Sequence, residues 1–250
     1  MDKRDEFVAA VKDRFPPDRL TYQKRIPTFH PESAQEAAAL FALANERGQR
    51  LFIAGYGNNV LPEGDPFQSL VAVKTDRLNQ LIEINSKDLY VKAGGGYPLR
   101  ELNRHLAEHH LFVPHASLPY VGSVGGALAV GLAGEMHGHE VPLRRYFLKA
   151  EIVTPTGEII TPGSVCFKST SGYDIVKVYA GSWGLLGLIV SAYLRAVPDS
   201  ALEDYAELRE SAIDRDNFLS GLAESSDETD VIYSRKIKSK FDPKGVLPVV

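Results

Sequence analysis

Residues 117–134 read SLPYVGSVGGALAVGLAG. Five of these eighteen positions are glycine, and Ala, Leu and Val fill most of the rest. Ala and Leu favour a helix, whereas each Gly costs about 1 kcal/mol relative to Ala in a helix interior. A chain that accepts this cost in a stretch otherwise built to pack needs something to approach its backbone closely.

Gly122, Gly125 and Gly126 cluster where a helix over GGALAVGLAG would begin. A helix N-terminus offers unpaired N–H groups and a partial positive charge to an anion. A second glycine loop, AGYGNNVLPEG (54–64), has the same tendency. Gly55 and Gly57 permit sharp turns, Asn58 and Asn59 tolerate left-handed backbone, and successive amides in such turns form an anion nest. A plain connection between a strand and a helix is the other reading of that loop. Neither loop is followed by the Gly-Lys-Ser/Thr of a phosphate-binding P-loop, and the GxGxxG fingerprint is missing. The triplet Gly94-Gly95-Gly96 reads as a turn. Two separate loops of this kind point to a ligand with several phosphates, or with phosphate and a ring system.

The coarse element pattern is mixed. Residues 5–15 read as an amphipathic helix stopped by Pro16-Pro17. Ser33, with Glu36 three residues on and Gly48 at the far end, brackets a helix over 34–47. Strands are expected at 50–55, 70–73, 81–84, 89–93, 147–153, 158–160 and 185–196, and a helix over 97–110. After Pro198 a strand at 206–211, a helix at 214–226 and a strand at 231–236 would make a small β-α-β unit. The run KSKFDPK (238–244) reads as a solvated tail.

The totals narrow the function. With 250 residues and a net charge of −4, the chain lacks the basic footprint of a nucleic-acid binder. A single cysteine, Cys166, cannot form an intrachain disulfide or a multi-cysteine metal or iron–sulfur site, and fits a reducing compartment. The N-terminal segment has no apolar signal region, and no apolar run is long enough to span a bilayer. A cytoplasmic location is expected, with any membrane association made through a partner.

Five motifs in order, AGYGNNVL (54–61), YVGSVGGALAVGLAG (120–134), AEIVTPTGEI (150–159), FKSTSGYDIVKVYAGSWGLLGLI (167–189) and FDPKGVLP (241–248), carry a family resemblance. The chain resembles the flavoproteins of vanillyl-alcohol oxidase and p-cresol methylhydroxylase, whose FAD domain also occurs in D-lactate and glycolate dehydrogenases. Its nearest likeness is to the small FAD-binding subunit of glycolate oxidase. The resemblance implies an α+β chain with the PCMH-type FAD-binding fold: two α+β subdomains, roughly 20–95 and 96–198, holding an extended FAD between them. A strongly reduced β-α-β cap (199–240) and a C-terminal tail (241–250) would follow.

Carried over position by position, the resemblance implies that Gly55, Gly57, Asn58, Asn59 and Val60 bind the pyrophosphate. Gly122, Ser123, Gly125 and Gly126 would lie along the ribityl chain and flavin, and Gly131 and Gly134 near the isoalloxazine. Gly184, Gly187 and Ile189 would sit by the adenosine or ribityl portion.

The chain also departs from the family's full-length 2-hydroxy-acid dehydrogenases. Their large cap and His-rich metal-binding signature are missing, and no histidine lies in 51–64 to carry a covalent flavin. FAD is therefore expected to be non-covalent, with no metal. For the base, the stretch GEMHGHEVPLRRY (134–146) offers His137 and His139, with Arg144 and Arg145 as carboxylate contacts. A solvated surface loop is the alternative there. His105 and His109 read as a solvated helix face, and Trp183 as core or as a stacking plate near adenine.

Together these features imply the FAD subunit of a 2-hydroxy-acid oxidoreductase acting on a glycolate- or D-lactate-like substrate. Other oxidoreductase subunits, an iron–sulfur electron-transfer subunit among them, would complete it. A reduced cap should leave apolar surface for such a partner or for another copy to cover. The alternatives are a self-sufficient small FAD oxidoreductase, a reductase using NADPH like UDP-N-acetylenolpyruvoylglucosamine reductase, and a module that has lost its flavin.

Overall fold

A computed structural model describes residues 2–57, 65–165, 175–213 and 229–249. Helix α1 (Lys3–Arg14) buries Phe7, Val8 and Val11, one face at helical spacing. Strands β1 (Leu20–Gln23) and β2 (Ile26–Phe29) form an antiparallel hairpin. Helix α2 (Ala34–Arg47) has the bounds its end signals predict. Ser33 Oγ accepts from the Glu36 N–H at 3.1 Å, and Gly48 stops the helix at φ 62°. Strand β3 (Leu51–Ala54), the single turn α3 (Asp65–Gln68) and strand β4 (Val71–Lys74) complete the first unit. Its sheet runs β1-β2-β4-β3, with β4 parallel to both neighbours. Strands β3 and β4 end together, Ala54 opposite Lys74.

The second unit begins with β5 (Leu81–Asn85) and β6 (Tyr90–Gly94). Next come helix α4 (Leu102–Leu106), β7 (Leu111–Phe112), helix α5 (Val124–Ala129), and the hairpin β8 (Ala133–Met136) and β9 (His139–Pro142). Strands β10 (Phe147–Val153), β11 (Ile159–Ile160), β12 (Leu188–Arg195), β13 (Val197–Pro198) and β14 (Arg209–Glu210) follow, and α6 (Thr229–Phe241) is the last helix. The main sheet is antiparallel, in the order β11-β10-β12-β6-β5. Strands β5 and β6, which the sequence boundary near residue 95 places with the first unit, thus belong to the second, because β6 pairs with β12.

Two cores result. One gathers Leu102, Leu106, Leu128, Phe147 and Leu194 between α4, α5 and the second sheet. The other packs α1 and α2 on the first sheet and includes Val153, Leu188 and Val190 from the second. The two sheets are therefore joined through shared apolar packing, with β12 contributing to both cores.

Four expectations need correction. The helix expected over 97–110 is broken into α4 with a 3-10 turn on each side, Leu99–Glu101 and Ala107–His109, ending at left-handed His110. The strand expected at 231–236, the last member of the β-α-β cap, is part of helix α6. Its less exposed residues, Val231, Ile232, Ser234, Arg235, Lys238 and Phe241, recur at helical spacing. A six-residue window holding Val, Ile and Tyr hides that period. The strand expected at 206–211 shrinks to β14, and the helix expected at 214–226 lies outside the described residues. The run 238–244, expected as a solvated tail, is so only at Pro243 and Lys244: residues 238–241 belong to α6 and Asp242 is buried. Val246 and Leu247 are buried in the second core, and the Val246 carbonyl accepts from the Leu51 N–H at 2.7 Å. Among the described residues no helix is long and apolar enough to cross a membrane.

Candidate cofactor site

Three loops converge on one cleft between the two units. The first, Gly55–Gly57, leaves the end of β3. The second, Tyr120–Gly126, leads into α5, and the third, Ser182–Gly187, leads into β12. The cleft encloses about 820 Å³, part of it open to solvent.

The loops meet on the glycine triplet 94–96, which turns as its sequence predicts, the Tyr97 N–H donating to Gly94 O at 3.0 Å, and is a backbone crossing as well. A Cβ on Gly96 would lie 1.8 Å from the Thr75 carbonyl oxygen, and one on Gly95 would lie 2.0 Å from that of Ile189. The Gly95 N–H donates to Val190 O, and its carbonyl accepts from the Gly125 N–H at 2.8 Å. The Leu99 N–H donates to Gly122 O, and the Val124 N–H to Tyr97 O. Tyr56 Oη donates to Gly96 O at 3.0 Å and so ties in the first loop. Burial raises the Tyr56 phenol above its ordinary pKa, with Arg100 pulling the other way, which keeps it a donor. The third loop hangs on α5: Gly181 and Trp183 donate their N–H groups to Leu128 O and Ala129 O.

These bonds change the reading of the second loop. The N–H groups of Val124, Gly125 and Gly126 are already taken, by Tyr97 O, Gly95 O and Ser123 Oγ. The start of α5 is thus not an open anion site, because the protein itself satisfies it. Several glycines there are also required by the protein: a Cβ on Gly125 would lie 2.8 Å from Gly95 O, and one on Gly122 would lie 2.5 Å from the Tyr120 ring.

Of the residues proposed for the cofactor, Gly55, Gly57, Gly122, Ser123, Gly125, Gly126, Gly184, Gly187 and Ile189 line the cleft together. Asn58, Asn59 and Val60 lie outside the described residues. Gly131 and Gly134 are not among the described lining residues. Gly131 turns at φ 72° against Gly181, and Gly134 lies beneath Leu208, where a Cβ would come within 2.5 Å. His137 and His139 are exposed on the β8–β9 hairpin, also outside the described lining. His137 Nδ1 is 3.4 Å from the Glu207 carboxylate. Arg144 and Arg145 are exposed beyond β9. Among the described residues no group of three or more His, Cys, Asp or Glu could hold a metal ion.

Sequence reasoning missed Tyr56, Thr75 and Tyr120, which also line the cleft, and left Trp183 open between core and stacking plate; it lines the cleft as well. A tyrosine after a glycine was the available signal for Tyr56. Thr75 had none. Glu210, on β14, accepts a bond from the Tyr120 backbone, and burial nevertheless raises its pKa.

The described lining contains no Asp, Glu, Lys, Arg or His. Backbone glycines supply close approach, Trp183, Tyr120, Ile53 and Val130 supply apolar plates, and no carboxylate in the described lining repels a phosphate. These properties suit a ligand of rings joined by phosphates and define an α+β protein with a glycine-lined cleft between its two largest sheets. The chain belongs to the FAD binding domain family, whose model matches residues 27–163. FAD is accordingly the cofactor that the cleft is built to take.

Among characterised proteins, it is 28% identical to a D-lactate dehydrogenase of Archaeoglobus fulgidus over 67% of this chain and 38% of that protein. It is 26% identical to glycolate oxidase subunit GlcD of Bacillus subtilis, over 67% of this chain and 36% of that one. The matched region thus spans well under half the length of these relatives. An alkyldihydroxyacetonephosphate synthase structure matches 77% of the chain at 22% identity with a TM-score of 0.62, a likeness of fold.

Proposed function

We propose that this chain is the FAD-binding part of a flavin-dependent oxidoreductase for a 2-hydroxy acid of the glycolate or D-lactate kind, with a partner chain completing the site. One observation carries the proposal. The cleft suits the cofactor, yet none of its described lining residues is a carboxylate, histidine, lysine or arginine. Bound FAD supplies the hydride acceptor. Taking the hydroxyl proton needs a base, and fixing the substrate carboxylate needs a cation. On this reading the chain's residues bind and orient the cofactor, and the partner brings the acid–base groups. That partner would also account for any membrane association, and an iron–sulfur subunit is one kind that could pass the electrons on.

The test uses the purified chain with added FAD. Absorbance should show bound flavin, and acid should release the colour into the supernatant, as for a non-covalent cofactor. Under anaerobic conditions, glycolate and D-lactate should leave the flavin of the isolated chain oxidised. They should bleach it when the chain is recovered from its host with its associated subunits. A chain that stays colourless in excess FAD would end the proposal.

Glu210 supports a second reading, a self-sufficient enzyme, because a carboxyl with a raised pKa beside the Tyr120 loop is a stronger base than an ordinary one. Fast bleaching by the isolated chain, lost in Glu210→Gln, would favour it.

A further inference from the structure

We propose that the Thr75 hydroxyl is a cofactor-binding group, donating a hydrogen bond to an oxygen in the diphosphate–ribose stretch of FAD. The inference rests on FAD occupying the cleft described above.

Thr75 lines the cleft and is 4% exposed. Its Oγ1 is buried and has no hydrogen-bond partner among the described residues. Buried hydroxyls are nearly always paired, and an unpaired one is a standing cost to the fold. The orphan sits in the wall of a ligand cleft, so a ligand atom is the natural partner.

Position then selects the part of the ligand. β3 and β4 are parallel and in register, with Ala54 opposite Lys74. The next residues on that edge are Gly55, which opens the first glycine loop, and Thr75. Ligands of parallel strands gather beyond their carboxyl ends. Thr75 therefore stands beside the loop proposed for the pyrophosphate.

The backbone at Thr75 is held in place. Its carbonyl accepts from the Leu78 N–H at 2.9 Å and is the atom that a Cβ on Gly96 would strike. The backbone at Thr75 cannot shift without breaking the crossing on which all three loops hang. A hydroxyl donor matches an anionic or ribose oxygen, and no charged side chain in the described lining competes for it.

The experiment compares the native chain with Thr75→Val, nearly the same shape without the hydroxyl, and with Thr75→Ser. Affinities for FAD and for ADP are measured by calorimetry, and thermal midpoints are taken with and without FAD. The expected result is about a tenfold loss of affinity for both ligands in Thr75→Val, the scale of one lost hydrogen bond. Thr75→Ser should stay within about threefold of native, because it keeps the donor. Without ligand, Thr75→Val should melt at or above the native midpoint, since it removes an orphan; with saturating FAD it should melt below. Unchanged affinity for FAD and ADP overturns the hydroxyl's role alone. A loss of stability without ligand that accounts for the weaker binding makes the hydroxyl structural and also overturns it. A native chain that takes up neither FAD nor ADP overturns the cleft assignment, and this inference with it.

Discussion

His115 shows how much a single buried side chain can commit the fold to a pH range. Its ring is fully buried against Tyr146, with centroids 5.1 Å apart. Nε2 lies 2.7 Å from the Val141 carbonyl and so carries the proton. Nδ1 is buried with no partner among the described residues, so a second proton there would have no acceptor. Burial accordingly lowers the His115 pKa below its ordinary 6.5, and the bond to Val141 opposes this only in part. The sign follows. Below pH 6.5 the unfolded chain gains a proton that native His115 refuses, so this residue removes stability as pH falls and none above that range. His115→Gln keeps a donor near Val141 but cannot titrate. Its urea midpoint should therefore fall less than the native one between pH 7.5 and pH 5. Equal falls would place the acid sensitivity elsewhere. At the same scale, Gly95 and Gly96 are required by contacts with Ile189 and Thr75, residues far away in the chain. The triplet announces itself in the sequence, but the reason for it does not.

Among the elements, α2 was legible to the residue because its signals are local: a capping Ser33, a following Glu36, and Gly48 at the left-handed stop. Strand β10 was equally plain, and β12 showed as an apolar run buried along most of its length. Helix α6 was misread because its burial period emerges only over more than three turns. The segment after it was misread because the strand it docks on is remote in the chain: the Val246 carbonyl accepts from the Leu51 N–H. Asp242 is 4% exposed, and its carboxylate accepts from the N–H groups of Val246 and Leu247, each at 2.8 Å, while also pairing with Lys238. Lysines and an aspartate in sequence suggest solvent; folded, they cap a turn that inserts two apolar residues beside β3. Asp242→Ala would leave two amides and one ammonium without their acceptor. It should cost about 3 kcal/mol in urea unfolding. A loss under about 1 kcal/mol would mean that water replaces the carboxylate.

For the whole molecule, the cleft is where the two sheets meet: Ile53 and Gly55 come from the edge of the first, Gly187 and Ile189 from the start of β12 in the second. A ligand there touches both units and stabilises them together. With FAD at a hundred times its dissociation constant, unfolding free energy should rise by about 2.7 kcal/mol. The unfolding transition should stay single, because Val153, Leu188 and Val190 of the second sheet already share a core with α1 and α2. Two transitions separated by FAD would show that the units unfold independently and that the cofactor holds only one.

The sequence by itself determined the mixed α+β class, the helix with its two end signals, most strands of the two sheets, and the glycine loops that carry the family resemblance to FAD proteins. Each depends on residues close together in the chain, through capping, periodicity or backbone freedom. Only the tertiary structure decided that β6 pairs with β12, that the N–H groups at the start of α5 are already spent, and that the Thr75 hydroxyl, beside Gly55, has no partner among the described residues. These depend on which distant backbones share the crossing at residues 94–96. That choice is made by the packing of two sheets against each other, which no local pattern records.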